Sequence, residues 1–328
     1  NKLKKLGFSL HPLPIDRSSF NIKSNLKTFF KIYYLYKTVK PNICHLITIK
    51  PILYGSLIAY MFSKLSLVIS ISGLGYIFSD RRLFSNINKL IISIIYKLAF
   101  NQKRITVIFQ NKDDQEKLTK ITKLSKKNTI LIPRSGIDLN KFRPRRNKDR
   151  RIVLFASRLL ISKGIKDFID SSKYVKDAKF VVSGNFDFDN PDCIDPSYIY
   201  ENQEKGLIEY WGENEDMEKI INKSSLFVLP SYYGEGLPKV LIEAAACGKP
   251  IVTTNHPGCR DAIINRKTGF IVPIKNPLIL SKYIKKILDN KELRMTMGKE
   301  ARLFAKSKFS INKVVEKHLD IYSRILLN

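Results

Sequence analysis

Residues 231–252 read SYYGEGLPKVLIEAAACGKPIV. The apolar run LFVLP at 226–230 just before them has the length and composition of a buried strand. A glycine-bearing loop follows at 231–236, then a helical stretch that opens at Pro238 and stops at Gly248. Proline suits a first helical turn because its missing N–H has no partner there anyway, and glycine suits the position after the last turn. Strand, glycine loop and helix N-terminus in succession aim free backbone N–H groups and the positive end of the helix dipole at the loop. That corner suits a phosphate, which would sit beside Gly236 and Leu237. Glu235 lies within the loop, and Glu243 about a turn and a half into the helix. Carboxylates accept hydrogen bonds from hydroxyls, so a sugar attached to the phosphate is a natural partner for both. On this stretch alone, a solvated Glu235 and a Glu243 that steadies its helix fit equally well.

Working outward, the same strand-and-helix unit recurs along all 328 residues, too many for one core. In the first half, strands are expected at 8–15, 42–48, 67–71, 105–109 and 129–132. Helices are expected at 25–39, from 52, at 87–100 and at 113–119. The stretch NKFRPRRNKDRR at 140–151 is polar, basic and proline-containing, and reads as a linker. The rhythm then restarts, with strands at 152–156, 179–183, 208–211, 226–229 and 251–254 and helices at 164–174, 217–223 and 238–247. Alternation of this kind implies parallel sheets with helices on both faces. The expected fold is α/β, two doubly wound Rossmann-like domains facing across a cleft: 1–145, 146–305, and a C-terminal helix at 306–328 packing back toward the first domain.

The net charge of +29 is unevenly spread. Residues 1–150 hold 30 Lys and Arg against 7 Asp and Glu, and the rest hold 28 against 22. A sequence rich in Lys, Ile and Asn accounts for part of the excess but not for its concentration in one half. The split points to an anionic partner for the first half, nucleic acid or an acidic membrane surface. The segment INKLIISIIYKLAF at 87–100 joins a broad apolar face to Lys89 and Lys97, behind Arg81 and Arg82, which suits a helix lying on a membrane as well as one in a core. The most apolar stretch, 52–71, is broken by Lys64, so no spanning helix and no signal peptide are expected. Four scattered cysteines form no CxxC pair, giving neither a zinc site nor a disulfide scaffold, and a reducing compartment fits.

A second stretch sharpens the first. FASRLLISKG at 155–164 places Arg158 and Lys163 on the loop after the first strand of the second domain. An arginine that forks two oxygens and a lysine acting as a point charge together neutralise a diphosphate. No Asp-rich metal motif accompanies them, so no metal or cofactor is expected to be essential.

Together these stretches, with PGCRDAI at 257–263, resemble family 4 (group 1) retaining glycosyltransferases of the GT-B fold. HLITIKPILYG (45–55), ISGLGYIFSD (71–80), VIFQNKDDQE (107–116) and RSGIDLNKFRP (134–144) resemble the branch that extends undecaprenyl-diphosphate-linked oligosaccharides in capsule, O-antigen and N-glycan assembly. The resemblance implies that Arg158 and Lys163 stabilise the departing donor diphosphate and that Glu235 contacts the donor sugar. Glu243 would hold the ribose, Gly236 and Leu237 would offer N–H groups to the distal phosphate, and Ser231 and Gly184 would complete the donor site. It further implies a UDP-hexose or UDP-N-acetylhexosamine donor, a polyprenyl-diphosphate-linked saccharide acceptor, and peripheral attachment to the cytoplasmic face of the membrane through the basic first half.

The chain departs from the family's pattern in two places. Many members carry a histidine in the loop after the strand here at 67–71, where this chain has Ser72-Gly73-Leu74-Gly75-Tyr76. Either that glycine loop (Gly73, Gly75) positions the acceptor, or His45 and Lys50 contribute, although a buried structural role fits His45 too. The first domain also opens later than expected, as if roughly 50 residues, a βαβ-sized piece and more, were missing. Two rival readings remain: a sugar-nucleotide epimerase of the same fold, needing no lipid acceptor, and a nucleic-acid-binding protein. The latter leaves Glu235, Glu243, Arg158 and Lys163 without purpose and lacks an aromatic-and-basic RNA motif.

Overall fold

The computed structural model describes residues 2–15, 22–73, 94, 96–132, 136–145, 151–234 and 236–327. The first unit contains α1 (Lys2–Lys5), α2 (Ile22–Val39), β1 (Ile43–Ile47), α3 (Ile49–Ala59), β2 (Ser66–Ile71), β3 (Ile105–Phe109), α4 (Lys112–Thr122) and β4 (Thr129–Leu131). Its four strands pair in parallel in the order β1-β2-β3-β4. The second unit contains β5 (Ile152–Ala156), α5 (Ile165–Ser172), β6 (Lys179–Ser183), α6 (Pro196–Glu204), β7 (Glu209–Tyr210), α7 (Met217–Lys223) and β8 (Leu226–Leu229). It continues through α8 (Lys239–Ala246), β9 (Ile251–Thr254), β10 (Gly269–Val272), α9 (Pro277–Asp289) and α10 (Lys291–Lys308). Its sheet is also parallel, ordered β10-β9-β8-β5-β6-β7. β5, β8 and β9 are buried along their whole length, as strands covered on both faces must be.

The last helix, α11 (Ile311–Leu327), leaves the second unit and lies on the first sheet. The reason is the two-residue period of the strands. Leu67, Ile69 and Ile71 of β2 point into one core with Val107 and Phe109. Val68 and Ile108 point to the other face and pack on Val314 and Ile321 of α11. Each of those two fully covered helix residues stabilises the docking by about 1.5–3 kcal/mol. Upstream, Ile137 and Phe142 already belong to the second core, and Arg145 donates to Glu218 of α7 at 2.7 Å, so the connection is fastened to the second unit.

Residues 8–15, expected as a strand, run as irregular chain instead. Pro12 and Pro14 cannot donate to a ladder, and the segment is held through the Thr28 hydroxyl, which donates to the Pro14 carbonyl at 2.6 Å. Helix α6 and strand β10 are elements the sequence reading did not assign. Of the basic segment at 87–100, residues 94 and 96–100 are described and helical, whereas Arg81, Arg82 and Lys89 lie outside the described residues. Among the described residues no helix is long and apolar enough to cross a membrane.

Candidate active site

Because all strands of each sheet are parallel, the loops that leave them gather on one edge, where ligands of open α/β sheets bind. In the second unit these are the loops after Ala156, Ser183, Leu229 and Thr254. They are tied to one another by backbone. Ser157 N–H donates to Ser183 O at 3.1 Å, and Leu159 N–H to Asn185 O at 2.9 Å. A side chain at Gly184 would strike the Ser157 carbonyl, and one at Gly164, whose φ is +79°, would strike that of Pro230. Both glycines are therefore required by closeness of neighbouring loops.

The short 3-10 turn Ile161–Lys163 presents the lysine. Asp192, from the loop after β6, fixes that turn: its carboxylate accepts from the Ser162 N–H at 2.9 Å and from the Ser162 hydroxyl, and its carbonyl accepts from Ile161 N–H. The carbonyl of Ser162 in turn receives Tyr232 N–H at 2.9 Å and the Ser231 hydroxyl at 3.4 Å. Ser162 thus joins three loops, and Ser231, fully buried, is a framework residue of the corner. Lys163 is only 5% exposed and its ammonium stands 4.6 Å from the centre of the Tyr233 ring. A buried cation needs compensation, and an aromatic face supplies part of it. Arg158, half-exposed, pairs with Asp187 at 2.6 Å. The two cations therefore sit on one loop, one deep and one at the rim.

Helix α8 begins at Lys239, directly after this corner, with Pro238 as its cap residue. Leu237 is buried beneath it, and Glu243, also buried, is reached by Lys239 Nζ at 3.4 Å. Glu235 lies outside the described residues. Gly236 N–H, expected at a phosphate, donates here to the carbonyl of Ser72 from the first unit, at 3.1 Å. The added methyl of an alanine at 236 would come 2.8 Å from that carbonyl and would strike Gln110 Oε1. The glycine is needed because the first unit presses against the loop. A second bridge, Arg260 to Asp113 at 2.5 Å, spans the same gap.

Ser72 and Gln110 therefore form the described first-unit wall, with Gly73 next in the chain, and sequence reasoning missed Gln110. Its Oε1 is buried without a hydrogen-bond partner, a signal visible only in three dimensions. Gly75 lies outside the described residues, and Lys50 is half-buried in the first turn of α3. His45, expected on the acceptor side, lines a cavity together with Ser72 and Gln110 and also links β1 to the C-terminal helix. Its Nδ1 meets Tyr322 Oη at 2.6 Å, its Nε2 meets Ser70 Oγ at 2.7 Å, and His318 stacks 5.9 Å away. Burial, and secondly the nearby His318, push its pKa down to about 4. Among the described residues no group of three or more His, Cys, Asp or Glu is placed to hold a metal ion.

Two parallel α/β units meeting at their strand-end loops, with Arg158 and Lys163 on one of those loops, have the architecture of a GT-B glycosyltransferase. Residues 136–304 match the family described as glycosyl transferases group 1, and residues 1–111 match a glycosyl transferase 4-like family. The chain belongs to the group 1 glycosyltransferases. It is 30% identical to the N,N'-diacetylbacillosaminyl-diphospho-undecaprenol alpha-1,3-N-acetylgalactosaminyltransferase of Campylobacter jejuni, over all of this chain and 89% of that one. It is 26% identical to the capsular polysaccharide biosynthesis glycosyltransferase CapM of Staphylococcus aureus, over 96% of this chain and 85% of that one. Among solved structures, sucrose-phosphate synthase from Thermosynechococcus elongatus superposes with a TM-score of 0.83 at 19% identity, covering 95% of this chain and 80% of that one. Anabaena HepE in complex with UDP gives 0.77 at 17%, covering 90% and 82%.

Proposed function

We propose that this glycosyltransferase moves a hexose or N-acetylhexosamine from a UDP-sugar to a polyprenyl-diphosphate-linked saccharide, with retention at the anomeric carbon. The observation that carries the reading is Lys163, a buried ammonium on the same strand-end loop as Arg158. The relatives named for undecaprenyl-diphosphate-linked acceptors support the acceptor class.

Breaking the bond between the anomeric carbon and the diphosphate leaves negative charge on the departing oxygen and positive charge on the sugar. Preorganised cations at the diphosphate stabilise the first, which is the main term available. Lys163 and Arg158 take that role, Arg158 exchanging Asp187 for phosphate oxygens. Glu243 receives the ribose hydroxyls, and Glu235 the sugar. In front-face attack the acceptor hydroxyl forms its bond to the anomeric carbon on the side the diphosphate leaves, and its proton passes to the leaving phosphate oxygen. Side-chain cations serve in place of a metal, so activity survives chelation by EDTA. The basic first half holds the enzyme at an anionic cytoplasmic membrane face, so attachment falls as salt rises.

A thermal-shift screen against nucleotide sugars tests the donor site, repeated with Lys163→Ala, Glu235→Ala and Glu243→Ala. The expected ligand raises Tm of the wild type and loses most of that shift in each variant. A shift that survives all three places the donor elsewhere.

A further inference from the structure

Every described loop that enters a strand of the first sheet is cationic. Lys40 precedes β1, Lys64 precedes β2, Lys103 and Arg104 precede β3, and Lys123, Lys126 and Lys127 precede β4. The loops at 40–42, 60–65, 101–104 and 123–128 contain no Asp or Glu. Parallel pairing puts all four on the same edge of the sheet, opposite the edge that carries Ser72 and Gln110.

A cavity of about 290 Å³ opens on this edge. Its floor is apolar, built from Leu67, Ile105 and Ile130 of the sheet with Ile321 and Ile325 of α11. Its rim carries Lys103, Arg104, Lys127 and Arg324. These four cations come from three separate elements, and among the described residues no carboxylate side chain lines the cavity. Among the described residues Lys103, Arg104 and Lys127 make no ion pair. Like charges gathered around a dry floor repel one another until an anion with an apolar body joins them.

We propose that this cavity is a second binding site, for a phosphate ester whose organic part is apolar. The arginines fork its oxygens, the lysines add point charge, and the isoleucine floor covers the apolar part. The site is remote from the transfer reaction: β2 runs from Ser66 at the cavity to Ile71 beside the cleft, about 17 Å at the rise of an extended strand. Its occupant is therefore neither donor nor reacting acceptor end, and the inference does not depend on the donor assignment. Two sources share this chemistry, a soluble phosphate ester and the headgroup of an anionic phospholipid.

The test uses the whole chain and two probes. Phenyl phosphate is titrated by calorimetry, and flotation is measured with phosphatidylcholine vesicles with and without phosphatidylglycerol. Three proteins are compared: the wild type, R104E/K127E, and K282E/K285E, which carries the same charge change on α9 of the second unit. Melting curves without ligand report folding, and K103Q/K127Q serves should the charge reversal not fold. The wild type and K282E/K285E are expected to bind one or both probes, and R104E/K127E to bind about a hundredfold more weakly. Phenyl phosphate binding identifies a soluble ester, and binding confined to phosphatidylglycerol vesicles identifies a lipid. Absence of binding to both probes by the wild type overturns the proposal. Equal binding by R104E/K127E, or an equal loss in K282E/K285E, overturns it too.

Discussion

Replacing Gly236 with alanine tests how the two units meet. The new methyl would lie 2.8 Å from Ser72 O and would overlap Gln110 Oε1, where ordinary contact is 3.4–4 Å. Gln110 can swing away, but Ser72 O is backbone at the end of β2 and must shift by more than half an ångström. Overpacking of this kind costs about 1–3 kcal/mol, and the Gly236 to Ser72 hydrogen bond, worth about 1 kcal/mol, is lost as well. The meeting of the two units is thus disfavoured by about 2–4 kcal/mol, or 30- to 1000-fold in its population. Sugar transfer should fall by that factor in kcat/KM, while UDP affinity, which belongs to the second unit, changes less than about threefold. G236A/Q110A should recover only the part due to the side chain. Transfer by Gly236→Ala at the wild-type rate would refute the described wall of the cleft.

Three further outcomes follow from the same geometry. Tyr233→Leu removes an aromatic face 4.6 Å from Lys163, worth about 1–2 kcal/mol at a buried site, so UDP should bind about 5- to 30-fold more weakly. Tyr233→Phe should bind normally, and K163A/Y233L should be no worse than Lys163→Ala, as calorimetry would show. Asp192→Ala removes the one carboxylate oxygen that accepts from both the N–H and the hydroxyl of Ser162, so chemical denaturation should show a loss of about 2 kcal/mol together with weaker donor binding. Finally, His45 is held neutral, with its pKa pushed from 6.5 to about 4. The unfolded chain therefore binds the extra proton between these values, so this contribution is full above pH 6.5 and is lost as pH falls toward 4. With partial exposure the loss is about 2–3 kcal/mol at most, and His45→Phe should flatten that part of the stability–pH curve.

Much of this was legible in the sequence because local and tertiary demands agree. LFVLP, the glycine loop and the Pro238–Gly248 helix carry strand, turn and helix signals that the packed structure also requires, and 152–156, 179–183 and 226–229 were expected to the residue. Residues 8–15 misled because alternating apolar residues imitate a strand, while Pro12 and Pro14 withhold the N–H groups a strand must share. Helix α6 was missed although Asp195-Pro196 is a helix start, and the structure shows Asp195 accepting from Ser197 N–H at 2.9 Å. The cations Arg158 and Lys163 were readable from their loop. Gln110, the His45–Tyr322 link and the Ser162–Asp192 clamp were not, because each joins residues from distant parts of the chain. Gly236 was read as a phosphate-binding turn, and its need for space against Ser72 emerges only once both units are assembled.

The most direct test is a transfer assay. The chain is incubated with UDP-sugars and polyprenyl-diphosphate-linked N-acetylhexosamine, and the product's anomeric configuration is read by NMR. The account predicts an α-linked product from an α-linked donor, in the presence of EDTA, with turnover reduced by about a hundredfold or more in Lys163→Ala. An inverted product, or transfer that Lys163→Ala leaves unchanged, would contradict it.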